Sequence, residues 1–263
     1  MIKTAFMTKT ALVTGSTSGI GKAFADKLAS ERYDLILVSR DAEKLCAQSA
    51  SLSEKHGIKV STIALDLSET GAAQKVFDEV HKLGLSVHLL INNAGFNETG
   101  SFLKTNMQKE TEMIKLHAIF TTEMMKLLIP DMVDNGYGRV LNLGSTGSFI
   151  PCPYDAVYAA TKAYILSLSK GINAELKGTG VCVTTLCPGA TKTEFAGKAG
   201  IENTLLFKLF VMKPETVAKT GYRAMLKGRA SVIVGIYNKL LILFSKLMPA
   251  AVTTSLTKKM LTS

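Results

Sequence analysis

Tyr158 and Lys162 stand four residues apart in a run, 155–176, whose composition predicts a helix, so their side chains share a face and project into one space. A free phenol is too weak an acid to matter near neutral pH, but a cation held close favours its charged form and lowers its pKa. Such a pair can give a proton to, or take one from, an alcohol or ketone oxygen. One Tyr-x-x-x-Lys in a chain of this length is about an even-odds accident. The pair carries weight only if the other elements build a place where something reacts.

Those elements alternate between strand and helix. Residues 10–14 form a short β-branched strand, Gly15-Ser16-Thr17-Ser18-Gly19-Ile20-Gly21 follows at once, and residues 22–30 read as a helix with Phe24, Ala25, Leu28 and Ala29 on one face. A strand, a glycine turn and a helix create a helix N-terminus with free N–H groups, which holds phosphate. The next strand, 33–39, ends at Ser39-Arg40, where dinucleotide folds meet the adenine ribose. An acid there bonds the 2′-hydroxyl of NAD, whereas an arginine pairs with the 2′-phosphate of NADP. Arg40 therefore favours NADP(H) over NAD(H); the alternative is a solvated loop arginine with Asp41 close by.

A helix at 42–56 and a strand at 59–65 lead to Asp66-Leu67, where Asp66 is either the N-cap of the next helix, in competition with Ser68, or an adenine contact. A helix at 70–83 precedes the apolar strand 87–91, which ends in Asn92-Asn93-Ala94-Gly95. Small and amide residues at that strand end let a flat cofactor approach. A long helical region at 106–135 and a strand at 138–144 then deliver Ser145. After the helix of Tyr158 come the strand 181–186 and the turn Cys187-Pro188-Gly189. This alternation predicts one α/β domain, a doubly wound parallel sheet with helices on both faces. Ser145, Tyr158 and the glycine loop then meet at one edge.

Bulk properties narrow the function classes. With 47% hydrophobic residues the chain can bury a large core. Cys46, Cys152, Cys182 and Cys187 show no metal-ligand or paired spacing, and the four histidines are scattered, so we expect reduced thiols, no metal site and a cytoplasmic protein. Residues 1–9 lack the apolar core of a signal peptide, although Met7 is an alternative initiator. No apolar run reaches the roughly 18 residues that span a bilayer. From Leu205 onward ten basic residues face Glu215 alone, while the first 204 residues are near neutral. These charges sit singly among Leu, Ile, Phe and Met, which argues against nucleic acid and for an amphipathic surface facing an anionic ligand or membrane.

Together the motifs resemble the classical short-chain dehydrogenase/reductase family over about residues 9–195: Thr14-Gly15-x-x-x-Gly19-x-Gly21, Asp66, Asn92-Asn93-Ala94-Gly95, Asn142-x-x-Ser145, Tyr158-x-x-x-Lys162 and Pro188-Gly189-x-x-x-Thr193. The resemblance implies a Rossmann-type fold and hydride transfer at a nicotinamide, with Tyr158 as general acid/base and Ser145 polarising the reacting oxygen. Lys162 would bond the nicotinamide ribose and lower the tyrosine pKa. Gly15, Ser16, Ser18, Gly19, Ile20 and Gly21 would line the pyrophosphate. Arg40, Asp66 and Leu67 would serve the adenosine end, and Asn93, Ala94 and Gly95 the adjoining ribose. Pro188, Gly189 and Thr191 would form the loop over the nicotinamide, and Thr193 would contact its carboxamide. A homodimer or homotetramer is implied as well.

One position departs from the family pattern. An asparagine is usual in the long central helix, where its carbonyl holds a proton-relaying water, and here His117 stands in its place. His117 is either part of the catalytic network or a histidine packed between helices.

Three stretches would choose the substrate: residues 96–105, 146–154 and an apolar lid candidate at about 194–212. The domain proper is expected over 1–235, with 236–263 as a basic amphipathic helical extension. Its polar residues recur at 238–239 and 245–246, which leaves a broad apolar face to pack on the domain, on a second subunit or peripherally on a membrane through 236–260. The function expected is an NADP(H)-dependent interconversion of a ketone and a secondary alcohol, probing a small-molecule substrate of apolar or acyl type. The alternatives are a β-ketoacyl thioester or keto-lipid reductase and, outside enzymes, an NADP(H)-sensing regulatory protein.

Overall fold

The computed structural model describes residues 9–194 and 211–262. The chain runs β1 (Thr10–Thr14), α1 (Gly19–Ser30), β2 (Asp34–Ser39), α2 (Ala42–His56), β3 (Val60–Ala64), α3 (Ala72–Lys82) and β4 (Val87–Asn92). It continues through α4 (Met107–Ile114), a π-helical turn (Lys115–Phe120), α5 (Thr121–Asp134), β5 (Gly138–Leu143), α6 (Ala156–Glu175) and β6 (Val181–Cys187). Last come α7 (Pro214–Leu226), β7 (Ser231–Ile233), α8 (Ile236–Leu247) and α9 (Ala250–Thr262).

Among the described residues, seven strands form one parallel sheet in the order β3-β2-β1-β4-β5-β6-β7. Strand alternation divides the core: Ala11, Val13, Leu35, Leu37, Leu89 and Ile91 pack with Phe24 and Leu28 of α1 and Val217 and Met225 of α7. Leu12, Ile36, Val38 and Leu90 face the other way, against Val76 of α3 and Met124 and Leu128 of α5. Strands buried on both faces explain the nearly unbroken apolar runs in the sequence. The order reverses between β1 and β4, and open parallel sheets take ligands beyond their strand ends at such a point.

Three local expectations change. Asp66 does not cap α3: Gly71 holds that position with a left-handed φ of 75°, while the Asp66 carboxylate accepts from the Ser68 N–H at 2.9 Å and its hydroxyl at 2.7 Å. The long helical region is continuous but is widened by the π-helical turn that carries His117. The C-terminal extension is two helices, interrupted at Met248, whose extended backbone precedes Pro249, rather than one. Most of the lid candidate at 194–212 lies outside the described residues.

Of the three placements open for the apolar face of α8, packing on its own domain accounts for only part of it. Asn238 and Ile242 are buried against the domain, with the Asn238 amide donating to the Val234 carbonyl at 2.7 Å. Ile236, Leu240, Leu243 and Leu247, at helical spacing, are exposed.

Candidate functional site

A cleft of about 420 Å³ opens beyond the C-terminal ends of the strands at the β1/β4 reversal. Its floor is the glycine turn after β1. Gly15 takes φ 64° and donates its N–H to the Val38 carbonyl at 2.8 Å. A Cβ on it would lie 2.8 Å from the Ala94 Cα, so the two strand ends meet with no room for a side chain. α1 begins at Gly19 with no side-chain cap on its N-terminus and no acid in its first turn, which leaves its N–H groups for an anion. Ser18, Gly19 and Ile20 line this floor.

Ser16 and Gly21, expected on the pyrophosphate wall, sit behind it. Ser16 is fully buried, with its carbonyl accepting from the Gln48 amide at 2.9 Å. A Cβ on Gly21 would fall within 2.1 Å of the Gly15 carbonyl oxygen, so this glycine exists for helix-to-turn packing. Thr17, which the motif had treated as filler, lines the cleft and bonds Ser39 at 2.9 Å. Asn93 braces the same turn: its amide donates to the Thr14 and Gly15 carbonyls at 2.9 and 3.1 Å. Ala94 and Gly95 complete that wall.

At one end of the cleft lie Arg40, Lys44, Asp66 and Leu67. Asp41, which would have opposed a phosphate there, spends one carboxylate oxygen capping α2 through the Lys44 N–H at 3.0 Å. Arg40 is 3.6 Å from Asp66. Burial raises the Asp66 carboxyl, but the two Ser68 hydrogen bonds and the Arg40 charge outweigh it and leave it below its ordinary value.

At the other end are Ser145, Tyr158 and Lys162. Ser145 follows β5 and opens a 3₁₀ turn, its Oγ accepting from the Gly147 N–H at 3.1 Å. α6 presents Tyr158 and Lys162 on one face, and the Lys162 Nζ lies 5.5 Å from the Tyr158 ring centre while donating to the Leu143 carbonyl at 3.0 Å. A buried chain of amides ties this strand end to α6: Asn92 donates to Asn142 at 2.9 Å, and Asn142 to Ser169 at 2.8 Å.

The electrostatics depart from the sequence argument. Burial raises the Tyr158 phenol well above its ordinary value; the charge of Asp155 adds to this, and the hydrogen bond with Ser145 opposes it. The same burial brings Lys162 down to about 8. Desolvation outweighs the attraction that the spacing alone suggested. The phenol is thereby held in its protonated form.

His117 is 2% exposed and lies behind the cleft wall, its Nδ1 bonded to the Thr161 hydroxyl at 2.9 Å and its ring 5.8 Å from that of Tyr158. Its Nε2 would be 2.6 Å from a Cβ on Gly95, so ring and glycine fit each other. Burial, then the charge of Lys162, holds its pKa well below the usual histidine value.

Pro188, Gly189, Thr191 and Thr193 close the cleft from β6. The Pro188 carbonyl accepts from the Thr146 N–H at 2.9 Å, Thr191 pairs with Met212, and Thr193 packs on Gly19, whose Cβ would lie 2.9 Å from its methyl. α8 supports this loop, since a Cβ on Gly189 would strike the Asn238 side chain at 2.6 Å. Sequence reasoning did not single out Asn97, Asp155 or Leu143 on the cleft wall, nor a second cavity of about 90 Å³ beside Ser145 and Tyr158. Ile150 and Cys152 line that cavity on one side, and Leu241 and Phe244 of α8 and Leu256 of α9 on the other.

A dinucleotide-sized cleft at a sheet reversal, with a serine, a tyrosine and a lysine at one end, defines a nicotinamide-dependent oxidoreductase of Rossmann type. The chain belongs to the short-chain dehydrogenase family, whose model matches residues 9–203. It is 37% identical over 177 residues to a very-long-chain 3-oxoacyl-CoA reductase of Phaeosphaeria nodorum, covering 66% of this chain and 52% of that protein. It is 33% identical over 196 residues to sulfoacetaldehyde reductase 2 of Chromohalobacter salexigens, covering 72% and 75%. Among solved structures, a short-chain dehydrogenase from Sphingobium yanoikuyae in complex with NADPH superposes with a TM-score of 0.81 at 30% identity, covering 91% of this chain and 93% of that one. The chain thus matches about half the length of the first of these relatives. The family acts on alcohol and ketone groups with a nicotinamide dinucleotide as the redox partner.

Proposed function

We propose that this protein reduces a ketone carried on an apolar chain, a β-ketoacyl thioester or a keto-lipid, with NADPH as the hydride source and Tyr158 as the proton donor. The observation that carries this reading is the apolar cavity that opens directly beside Ser145 and Tyr158, with Ile150, Leu241, Phe244 and Leu256 on its walls. A small hydrophilic ketone has no use for such a wall, whereas an acyl chain buries its methylenes there at about 0.8 kcal/mol each. The similarity to very-long-chain 3-oxoacyl-CoA reductases favours the acyl alternative over a free small ketone.

The cofactor fits the residues present. The uncapped N-terminus of α1 and the left-handed Gly15 and Gly19 suit a pyrophosphate, and Arg40 and Lys44 suit a 2′-phosphate. Lys162 would bond the nicotinamide ribose, and Thr193 the carboxamide. When bound, the nicotinamide supplies a hydride to the carbonyl carbon. Ser145 Oγ and the Tyr158 hydroxyl hold the carbonyl oxygen, and Tyr158 passes its proton to that oxygen as it gains charge. The resulting phenolate is stabilised by the Lys162 ammonium. Burial keeps Tyr158 a phenol at neutral pH, the form that gives up the proton in reduction. His117, tied to Thr161 and held neutral, packs behind Tyr158 in this scheme and relays no proton.

Steady-state NADPH oxidation across ketoacyl substrates of increasing chain length tests the proposal. We expect kcat/KM to rise by about tenfold or more between short and long chains before the cavity is filled. A flat profile, or preference for the shortest member, would contradict it.

A second reading concerns location. No described helix is long and apolar enough to cross a membrane. We propose that α8 lies on an anionic membrane surface, because its exposed stripe of Ile236, Leu240, Leu243 and Leu247 is accompanied by exposed Lys239 and Lys246. Replacing Leu240 and Leu243 with glutamate should abolish co-sedimentation with phosphatidylserine vesicles; co-sedimentation equal to that of the unaltered chain would refute it.

A further inference from the structure

Asp155 stands at the N-cap of α6, yet its side chain makes no capping bond, unlike Asp41 and Asn106, which cap α2 and α4. It turns instead into the region where the cofactor cleft and the apolar cavity meet, and it lines both. It precedes Tyr158 by three positions, and both side chains line the same two cavities. Asn97, from the loop after β4, donates its amide N–H to Asp155 Oδ1 at 2.8 Å and to Thr99 Oγ1 at 3.0 Å. A carboxylate can only accept, so the amide nitrogen of Asn97 must face Asp155. Asn97 Oδ1 is thereby turned elsewhere, and it is buried without a partner in a residue only 8% exposed. Asp155 Oδ1 also accepts from the Thr99 hydroxyl at 3.4 Å, and the Asp155 charge acts directly on the Tyr158 proton donor. A buried acceptor left unpaired costs free energy, and a ligand donor recovers it.

Building on the ketone-reductase reading, we infer that Asp155 and Asn97 form a polar subsite for a hydrogen-bond donor, an ammonium or a hydroxyl, on the carbon next to the substrate ketone. The apolar cavity takes the chain, Ser145 and Tyr158 take the ketone oxygen, and Asp155 with Asn97 takes the donor. Substrates of this class are long-chain amino-ketones or hydroxy-ketones. Asp155 then acts as a specificity-determining residue.

The test compares three ketones of one chain length bearing hydrogen, hydroxyl or ammonium on the adjacent carbon, with NADPH oxidation as the readout. The unaltered protein should show a kcat/KM for a donor-bearing ketone about tenfold or more above that of the plain ketone. In Asp155→Asn the ammonium preference should fall to within about threefold of unity, while a hydroxyl preference should survive in part, because the amide still accepts. Equal kcat/KM for all three ketones in the unaltered protein, or an undiminished ammonium preference in Asp155→Asn, would overturn the subsite and leave the reductase reading standing. If none of the three is reduced, both fall.

Should Asp155→Asn fail to fold, the pH dependence of the ratio replaces it. Burial raises the Asp155 carboxyl to about 6, so the ammonium preference should be present above that pH and disappear below it. The neighbouring groups do not titrate in that window. Cys152 is raised to about 12, Tyr158 is raised further, His117 stays neutral and Lys162 stays charged below about 8. A ratio constant through pH 6 would overturn the subsite.

Discussion

The two walls that meet at Tyr158 are built by different means. The cofactor wall is made of backbone: a glycine turn with left-handed residues, strand ends braced by Asn93, and the bare N-terminus of α1. Its shape is set by close approaches such as Gly21 on the Gly15 carbonyl, where no side chain fits. The substrate wall is made of side chains from distant segments, Ile150 and Cys152 after β5 against Leu241, Phe244 and Leu256 of the last two helices. A backbone wall tolerates few residue types and so fixes one ligand, whereas a side-chain wall is redrawn by single substitutions. This is the physical reason one fold keeps its cofactor and changes its substrate.

Substitutions on each wall should therefore separate cleanly. The largest effect is expected where the walls meet: Tyr158→Phe keeps the ring but removes the transferable proton and should lower kcat by about a thousandfold. NADPH affinity, followed by fluorescence titration, should change less than about threefold; turnover near that of the unaltered protein would remove Tyr158 from the chemistry. On the cofactor wall, Arg40→Ala should lower the NADPH-over-NADH preference by about tenfold, the worth of one exposed charge-assisted contact. Chain-length selectivity should not follow it. An unchanged cofactor ratio would assign the 2′-phosphate to Lys44 alone.

The same division governs what the sequence discloses. The order of strands and helices, the glycine turn and the Tyr158–Lys162 pair are legible because local spacing determines them. That Ser16 and Gly21 lie behind the cleft floor is not legible, because a motif does not reveal which of its members face inward. The acidity of Tyr158 went the other way because spacing shows the cation but not the burial that acts on both partners. The orientation of α8 was hidden for a related reason. Asn238 looked like part of a solvated face, but it is needed beneath Gly189 and at the Val234 carbonyl, and this contact turns the apolar stripe outward. Asp155 read only as a helix start, and its role depends on Asn97, which is remote in sequence.

The central claim, that one wall holds the dinucleotide and the other selects the chain, is tested most directly by Phe244→Ala. On one preparation, the slope of kcat/KM against substrate chain length and the NADPH dissociation constant would both be measured. The slope should flatten, with the longest substrate losing about tenfold, while the dissociation constant stays within about twofold. An unchanged slope, or a loss confined to NADPH binding, would contradict the assignment of the C-terminal helices to the substrate.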